Sequence, residues 1–370
     1  MVYQPKFDFT NEIVMLLSQI EYYRGLVTSK TLPLHISEKL KQRARLKTTH
    51  YSTYIEGNQL TLQQVEEVVS KRPDKEENYH EQEARNYWKA LSFLNKAKYM
   101  NLPVTEDFIK KLHRIIEVRG PGRRGKKSEY RGATPPGVLF CIRDSKTGAV
   151  EYIPPYWEEV PELMKELVHW VNSEQTLPIP IKAAITAYQL VTIHPFDDCN
   201  GRLARALALY ILMVNDYDLK GYFTVEEYYA NDLQRYYSSL QMGLPVTYYD
   251  GRNNPNLNPW ITFFLNTMAQ AFKDIANSAM RLYDASEGKL LELSKREIKL
   301  LQLALRFEGR SMSLDLMAEW FEVSKRTIQE WVKDWVAIGL LQPASGKKRI
   351  TSYNLGGRYA DLKLSDIGER

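Results

Sequence analysis

The chain has 370 residues, 44% of them hydrophobic, 26% charged and 12% aromatic, which excludes a mainly disordered or collagen-like protein. Its 50 Lys and Arg against 45 Asp and Glu leave +5 over the whole length, too mild a surplus to demand a nucleic-acid partner by itself. Two cysteines, Cys141 and Cys199, exclude a disulfide framework and a four-cysteine zinc site and point to a reducing, cytoplasmic setting. No run reaches the ~18–20 apolar residues of a membrane span. The opening MVYQPKFDFTNEIVML lacks a small-residue cleavage site, so a soluble, non-secreted chain without a membrane partner is expected.

Taken in chain order, the first element with chemical content is Ser52–Asn58, STYIEGN. Ser52 and Glu56 are four apart, hence on one face of a helix over about 47–57, which Gly57 would end. The polar segment Arg72–Glu83 then reads as a linker to the next helix. Between Arg114 and Arg131, the basic residues Arg114, Arg119, Arg123, Arg124, Lys126, Lys127 and Arg131 oppose Glu117 and Glu129, with glycines interspersed. That pattern suggests a solvated basic loop. The strand signal is confined to Val138–Ile153, where two β-prone runs flank the turn-rich Ser145–Gly148. An isolated hairpin is marginal in water, so this one should be a flap over 138–153 lying on a helical body. Leu163–Val171, Ile181–Leu190, Leu203–Val214 and Ile261–Phe272 repeat apolar residues at helical spacing and are expected to be buried helices.

Between two of those helices lies His194–Arg205, HPFDDCNGRLAR. Asn200-Gly201 marks a turn that presents unpaired N–H groups at the start of the following helix, a ready anion site. Arg202 and Arg205 project from neighbouring positions on that helix and supply two guanidinium forks for phosphate. Asp197 and Asp198 are hard oxygen ligands suited to Mg²⁺ bridging phosphates. Of six histidines, only His194 sits where it could take a proton from a hydroxyl. Charges placed between two apolar helices would be costly without a polar ligand such as a nucleotide.

This stretch resembles the signature of the Fic family, H-x-F-x-[D/E]-G-N-G-R-x-x-R, through His194, Phe196, Asp198, Asn200, Gly201, Arg202 and Arg205. The resemblance implies a mainly α-helical Fic bundle and a protein adenylyltransferase, moving AMP from ATP to a Ser, Thr or Tyr hydroxyl of a target protein. It makes His194 the general base and Phe196 the anchor of the loop. Asp198 would hold Mg²⁺, while Asn200 and the loop amides would hold the α-phosphate. Arg202 and Arg205 would take the outer phosphates. Cys199 stands where the family has glycine, so a side chain enters the nucleotide-binding loop; a positive φ there would cost about 1 kcal/mol or more. Ser52–Gly57 matches the family's inhibitory motif [S/T]-x-x-x-E-[G/N], which implies that Glu56 pairs with Arg205 in competition with the γ-phosphate. Glu81–Asn86 resembles the helix before the family's core. The hairpin resembles the flap that takes the target peptide as an added strand, and Arg235-Tyr236-Tyr237 resembles a helix whose tyrosine, Tyr236, lies by the nucleotide.

A break near Ser286–Lys289 precedes a different pattern of helix, helix, turn, helix and strands. Ser313–Phe321 leads to Ser324, an N-cap for Lys325–Ile338; Gly339 ends that helix, and Lys347-Lys348-Arg349 precedes Ile350–Leu355. This resembles a winged helix-turn-helix, with Lys325, Arg326, Thr327 and Gln329 facing a DNA groove, although acidic residues are mixed through Arg306–Asp334. The expected domains are an N-terminal helical region over 1–100, a core over 101–285 and the winged helix over 286–370. Self-modification, a homodimer and DNA contact stay open as partners. Two other functions stay open too: a nucleotide-sensing DNA-binding regulator, and transfer of another group such as UMP.

Overall fold

A computed structural model describes residues 3–29, 32, 34–72, 77–118, 129–144, 147–291, 293–306, 311–344 and 352–359. It is built mainly of helices: α1 (Asn11–Thr28), α2 (Leu34–Tyr54), α3 (Leu62–Ser70), α4 (Tyr79–Tyr99) and α5 (Glu106–Ile116) come first. The hairpin β1 (Ile142–Arg143) and β2 (Val150–Tyr152) follows, then α6 (Val160–Ser173), α7 (Ile179–Ile193), α8 (Asn200–Val214), α9 (Glu226–Asn231), α10 (Leu233–Gln241) and α11 (Asn258–Leu291). The chain continues through α12 (Lys295–Arg306), β3 (Met312–Ser313), α13 (Leu314–Phe321), α14 (Lys325–Ala337), β4 (Leu341–Pro343) and β5 (Ser352–Leu355). Two compact units divide it, Met1–Thr28 with Lys41–Ala276, and Ser29–Leu40 with Asn277–Arg370.

In the first unit α7 and α8 form the central pair. Both are apolar around nearly their whole circumference, so both are enclosed by other helices. The buried Trp260 of α11 donates its indole N–H to the Ala184 carbonyl of α7 at 2.7 Å. A smaller cluster seats the chain before the core: Leu46 of α2, Val65 of α3 and Ala84 of α4 meet, with Leu60, Leu62 and Trp88 packed around them. The Arg45 guanidinium stacks 3.7 Å above the Trp88 ring, adding a cation–π contact to that seat.

Several elements differ from the sequence reading. The helix that carries Ser52 begins at Leu34 and closes at Tyr54, so Glu56 lies just beyond it, in a turn ended by Gly57 at φ +93°. Much of the expected linker Arg72–Glu83 is helical, because Asn78 and Glu81 form a capping box that starts α4 at Tyr79. Residues 73–76 lie outside the described residues. So do 119–128, the middle of the basic loop; of its ends, Arg114 belongs to α5 and Arg131 is buried. The hairpin is antiparallel, Ile142 opposite Tyr152, with a bulge between Ile142 and Arg143. Its strands are shorter than the β-prone runs, and Ser145 and Lys146 of the turn lie outside the described residues. The expected break at 286–289 falls inside α11, while the compact units divide after Ala276.

In the second unit, Leu300, Leu301 and Leu303 of α12 pack with Met317 of α13 and with Ile328, Val332 and Trp335 of α14. Ser313 and Ser324 cap α13 and α14, each accepting a backbone N–H three residues on. The strands form one antiparallel sheet in the order β3-β5-β4; β3, only two residues long, gives no sequence signal. Lys325, Arg326 and Gln329 are exposed, and Lys325 pairs with Asp315 at 2.8 Å. Lys347-Lys348-Arg349 lies outside the described residues.

Candidate active site

The loop between α7 and α8 is built around two residues in the left-handed region. His194 closes α7 at φ 51°, its backbone N–H bonded to the Leu190 carbonyl at 3.0 Å, and Cys199 opens α8 at φ 67°. Between them Phe196 is buried and stacks on the His113 ring of α5, with centroids 3.8 Å apart and planes 7° from parallel. His113 Nε2 lies 3.1 Å from the Asp198 carbonyl. The Asn200 amide closes the loop from inside, accepting the Phe196 N–H at 3.0 Å and donating to the Phe196 carbonyl at 2.8 Å. Asn200, expected beside a phosphate, thus spends its side chain bracing the loop backbone.

His194 Nδ1 lies 3.3 Å from the Val191 carbonyl. A carbonyl only accepts, so the proton of the neutral ring sits on Nδ1 and Nε2 keeps its lone pair. Burial pushes the imidazole down to about 4, further lowered by Arg131, while the Val191 bond and Glu56 work the other way. At neutral pH the ring is therefore a base able to accept a proton.

Arg131, expected in a solvated loop, is buried. It is instead a latch: its backbone N–H bonds the Pro195 carbonyl at 2.8 Å, Nε the His194 carbonyl at 2.8 Å, and Nη2 the Pro155 carbonyl at 2.6 Å. Its guanidinium also lies 4.7 Å over the Phe140 ring, before β1. One buried cation thus joins the hairpin to the His194 loop.

The two arginines of α8 part company. Arg205 is enclosed by the segment from α2: Nε donates to Ser52 Oγ at 3.0 Å, and Nη2 to the Ser52 carbonyl and to Glu56 Oε1, both at 2.8 Å. Its Nη1 donates to the Tyr236 hydroxyl at 3.3 Å. Burial alone would raise the Glu56 carboxyl, but the charges of Arg205 and Arg202 outweigh it and hold it below its ordinary value. Glu56 also covers the first turn of α8, since a Cβ at Gly201 would collide with Glu56 Oε1. Glycine here opens the helix N-terminus, where unpaired N–H groups and the helix dipole favour an anion; the carboxylate of Glu56 takes that place. Tyr237 holds the carrier, its hydroxyl donating to the Ile55 carbonyl at 2.9 Å. Arg202 faces elsewhere: Nη1 bonds Glu83 Oε1 at 2.5 Å and Nη2 lies 3.2 Å from Cys199 Sγ.

Tyr236, expected against a nucleotide, is 3% exposed and stacks on Tyr229; it acts on the site through Arg205. Glu83 and Asn58 also belong to the site, though no motif marks them. Their signal was available, for Glu83 falls on the buried stripe of α4 with Tyr87, Ala90 and Leu94, and a carboxylate there needs a cation.

Asp198 accepts the Cys199 N–H at 2.6 Å, and its side chain is 36% exposed. Among the described residues no three His, Cys, Asp or Glu side chains cluster to hold a metal. A single partly open carboxylate fits the Mg²⁺ habit of one protein ligand completed by phosphates and water, and fits no structural metal site.

Comparisons with known proteins place this site within a family match. Residues 103–212 match the model of the Fic/DOC family. The chain is similar to the protein adenylyltransferase Fic of Drosophila grimshawi, 30% identical over 179 residues covering 47% of this chain and 34% of that protein. It is also similar to the protein adenylyltransferase fic-1 of Caenorhabditis elegans, 30% identical over 212 residues covering 53% and 39%. The chain thus spans about a third of the length of these curated relatives. Its fold resembles that of a Fic family protein from Desulfovibrio desulfuricans G20, with a TM-score of 0.63 and 21% identity over 96% of this chain and 99% of that one.

Proposed function

We propose, from the match of residues 103–212 to the Fic/DOC family, that the chain is a protein adenylyltransferase held back by Glu56. The observation that carries the reading is the Glu56 carboxylate on Arg205 and over Gly201, an internal anion where a nucleotide phosphate would sit. A carboxylate and a phosphate compete for the same guanidinium fork. With Glu56 in place, ATP loses its outer phosphate contact, and its α-phosphate is turned away from in-line attack.

With the carboxylate gone, the residues divide the reaction. His194 Nε2 takes the proton of the target hydroxyl as its oxygen bonds to the α-phosphorus. The bond from that phosphorus to the bridging oxygen breaks, and pyrophosphate leaves with the electron pair. Arg205 and the first turn of α8 stabilise the charge that grows on the phosphates. Asp198 would hold Mg²⁺, which would supply further charge neutralisation on the phosphates. Arg131 keeps the hairpin at the mouth of the site, where a target segment would lie.

Labelled ATP tests this. Glu56→Gly should raise label transfer to protein about tenfold or more, in line with losing a charged hydrogen bond of 1.5–3 kcal/mol. His194→Ala in that background should reduce it by about 10²-fold or more. Transfer unaffected by either change sinks the reading, and label from UTP in place of ATP overturns the choice of donor.

A further inference from the structure

Glu83 of α4 is 3% exposed, and its two carboxylate oxygens face different parts of the site. Oε1 accepts from Arg202 Nη1 at 2.5 Å; Oε2 accepts from Asn58 Nδ2 at 2.9 Å. Asn58 lies two residues beyond Glu56. The same amide nitrogen donates to the His80 carbonyl at 2.9 Å, Asn58 Oδ1 accepts the Leu60 N–H at 3.0 Å, and the Asn58 N–H bonds the Thr53 carbonyl at 3.1 Å. Asn58 is thus the fastening that returns the turn carrying Glu56 to the protein. One buried carboxylate serves that fastening and the first arginine of α8 together.

We propose that Glu83 is a positioning residue that couples the Glu56 brake to the phosphate side of the site. A buried carboxylate is tolerated only while its partners neutralise and bond it. When phosphate draws Arg202 away, Glu83 loses its cation and its hold on Asn58 changes with it. When Asn58 leaves, Glu83 is free to follow Arg202. Coupling of this kind is reciprocal, so nucleotide affinity must depend on the brake and the brake on nucleotide. The proposal rests on the brake assigned above.

The test places Glu83→Gln in the parent chain and in the Glu56→Gly chain, with kcat and KM for ATP measured in each. The amide keeps the shape of the carboxylate, but its NH₂ faces a donor and one of the two bonds is lost. In the parent chain the substitution should raise transfer about three- to tenfold, the worth of one net hydrogen bond. In the Glu56→Gly chain it should raise KM for ATP about threefold or more while kcat stays within about twofold. Asn58→Ala gives a second reading if Glu83→Gln folds poorly: it should raise transfer in the parent chain and, in the Glu56→Gly chain, shift KM for ATP about twofold or more while kcat stays within about twofold; an unmoved KM there overturns the coupling. Equal factors in both backgrounds, with KM unmoved, overturn the coupling and leave the brake standing. Failure of Glu56→Gly alone to raise transfer overturns both.

Discussion

Cys199 is the residue at which this chain departs from the loop pattern it resembles, and the structure says what the departure costs. Its φ of 67° lies in the left-handed region, which glycine enters freely and L-residues enter at roughly 1–2 kcal/mol. The side chain is nevertheless buried, with Sγ 3.2 Å from Arg202 Nη2, and that contact offsets part of the strain. Comparing Cys199→Gly with Cys199→Ala removes the sulfur in both and leaves only the backbone. The glycine variant should be the more stable by about 1 kcal/mol, the reverse of the usual order for a helical position. Denaturant unfolding of the two variants measures this; an alanine variant as stable as the glycine one would show the loop to be unstrained.

At the scale of elements, α7 and α8 were legible because their apolar residues recur on nearly every face, which only burial permits. Sequence periodicity therefore located α7 and α8 and the loop between them. What it missed are connections between elements distant in the chain. Nothing local marks Arg131 as a latch, since a basic residue beside a Gly-rich basic run reads as solvated until Pro155 and His194 are brought to it. The same holds for Glu83, whose partners stand 25 residues before it and 119 after it. A lysine cannot reproduce the fork of Arg131. Arg131→Lys in the Glu56→Gly chain should therefore lower the transfer rate by about 10- to 100-fold, as one lost bond from a charged donor is worth about 1.5–3 kcal/mol. Transfer kinetics decide it, and a rate within twofold would remove Arg131 from the positioning of His194.

For the whole molecule, the site imposes a dependence of stability on pH. His194 is held near 4 by burial, below the 6.5 of an exposed imidazole. Between those values the unfolded chain binds the proton and the folded chain does not. Its contribution is thus complete above pH 6.5 and is lost as pH falls toward 4. Glu56, lowered by Arg205 and Arg202 against partial desolvation, contributes above its ordinary 4.5 and loses that contribution only below it. Glu226 and Asp218 run the other way. Burial raises both carboxyls, so they favour the folded state at low pH and cease to do so as pH rises through their folded values. Acid sensitivity between pH 6.5 and 5 is therefore supplied by His194 together with His50, whose ring burial also lowers. His194→Asn, which keeps a polar side chain without a titrating ring, should flatten the fall of Tm over that range, while the parent chain loses stability steadily. Parallel curves for the two proteins would mean that the ring titrates at its exposed value and that burial does not keep it neutral in acid.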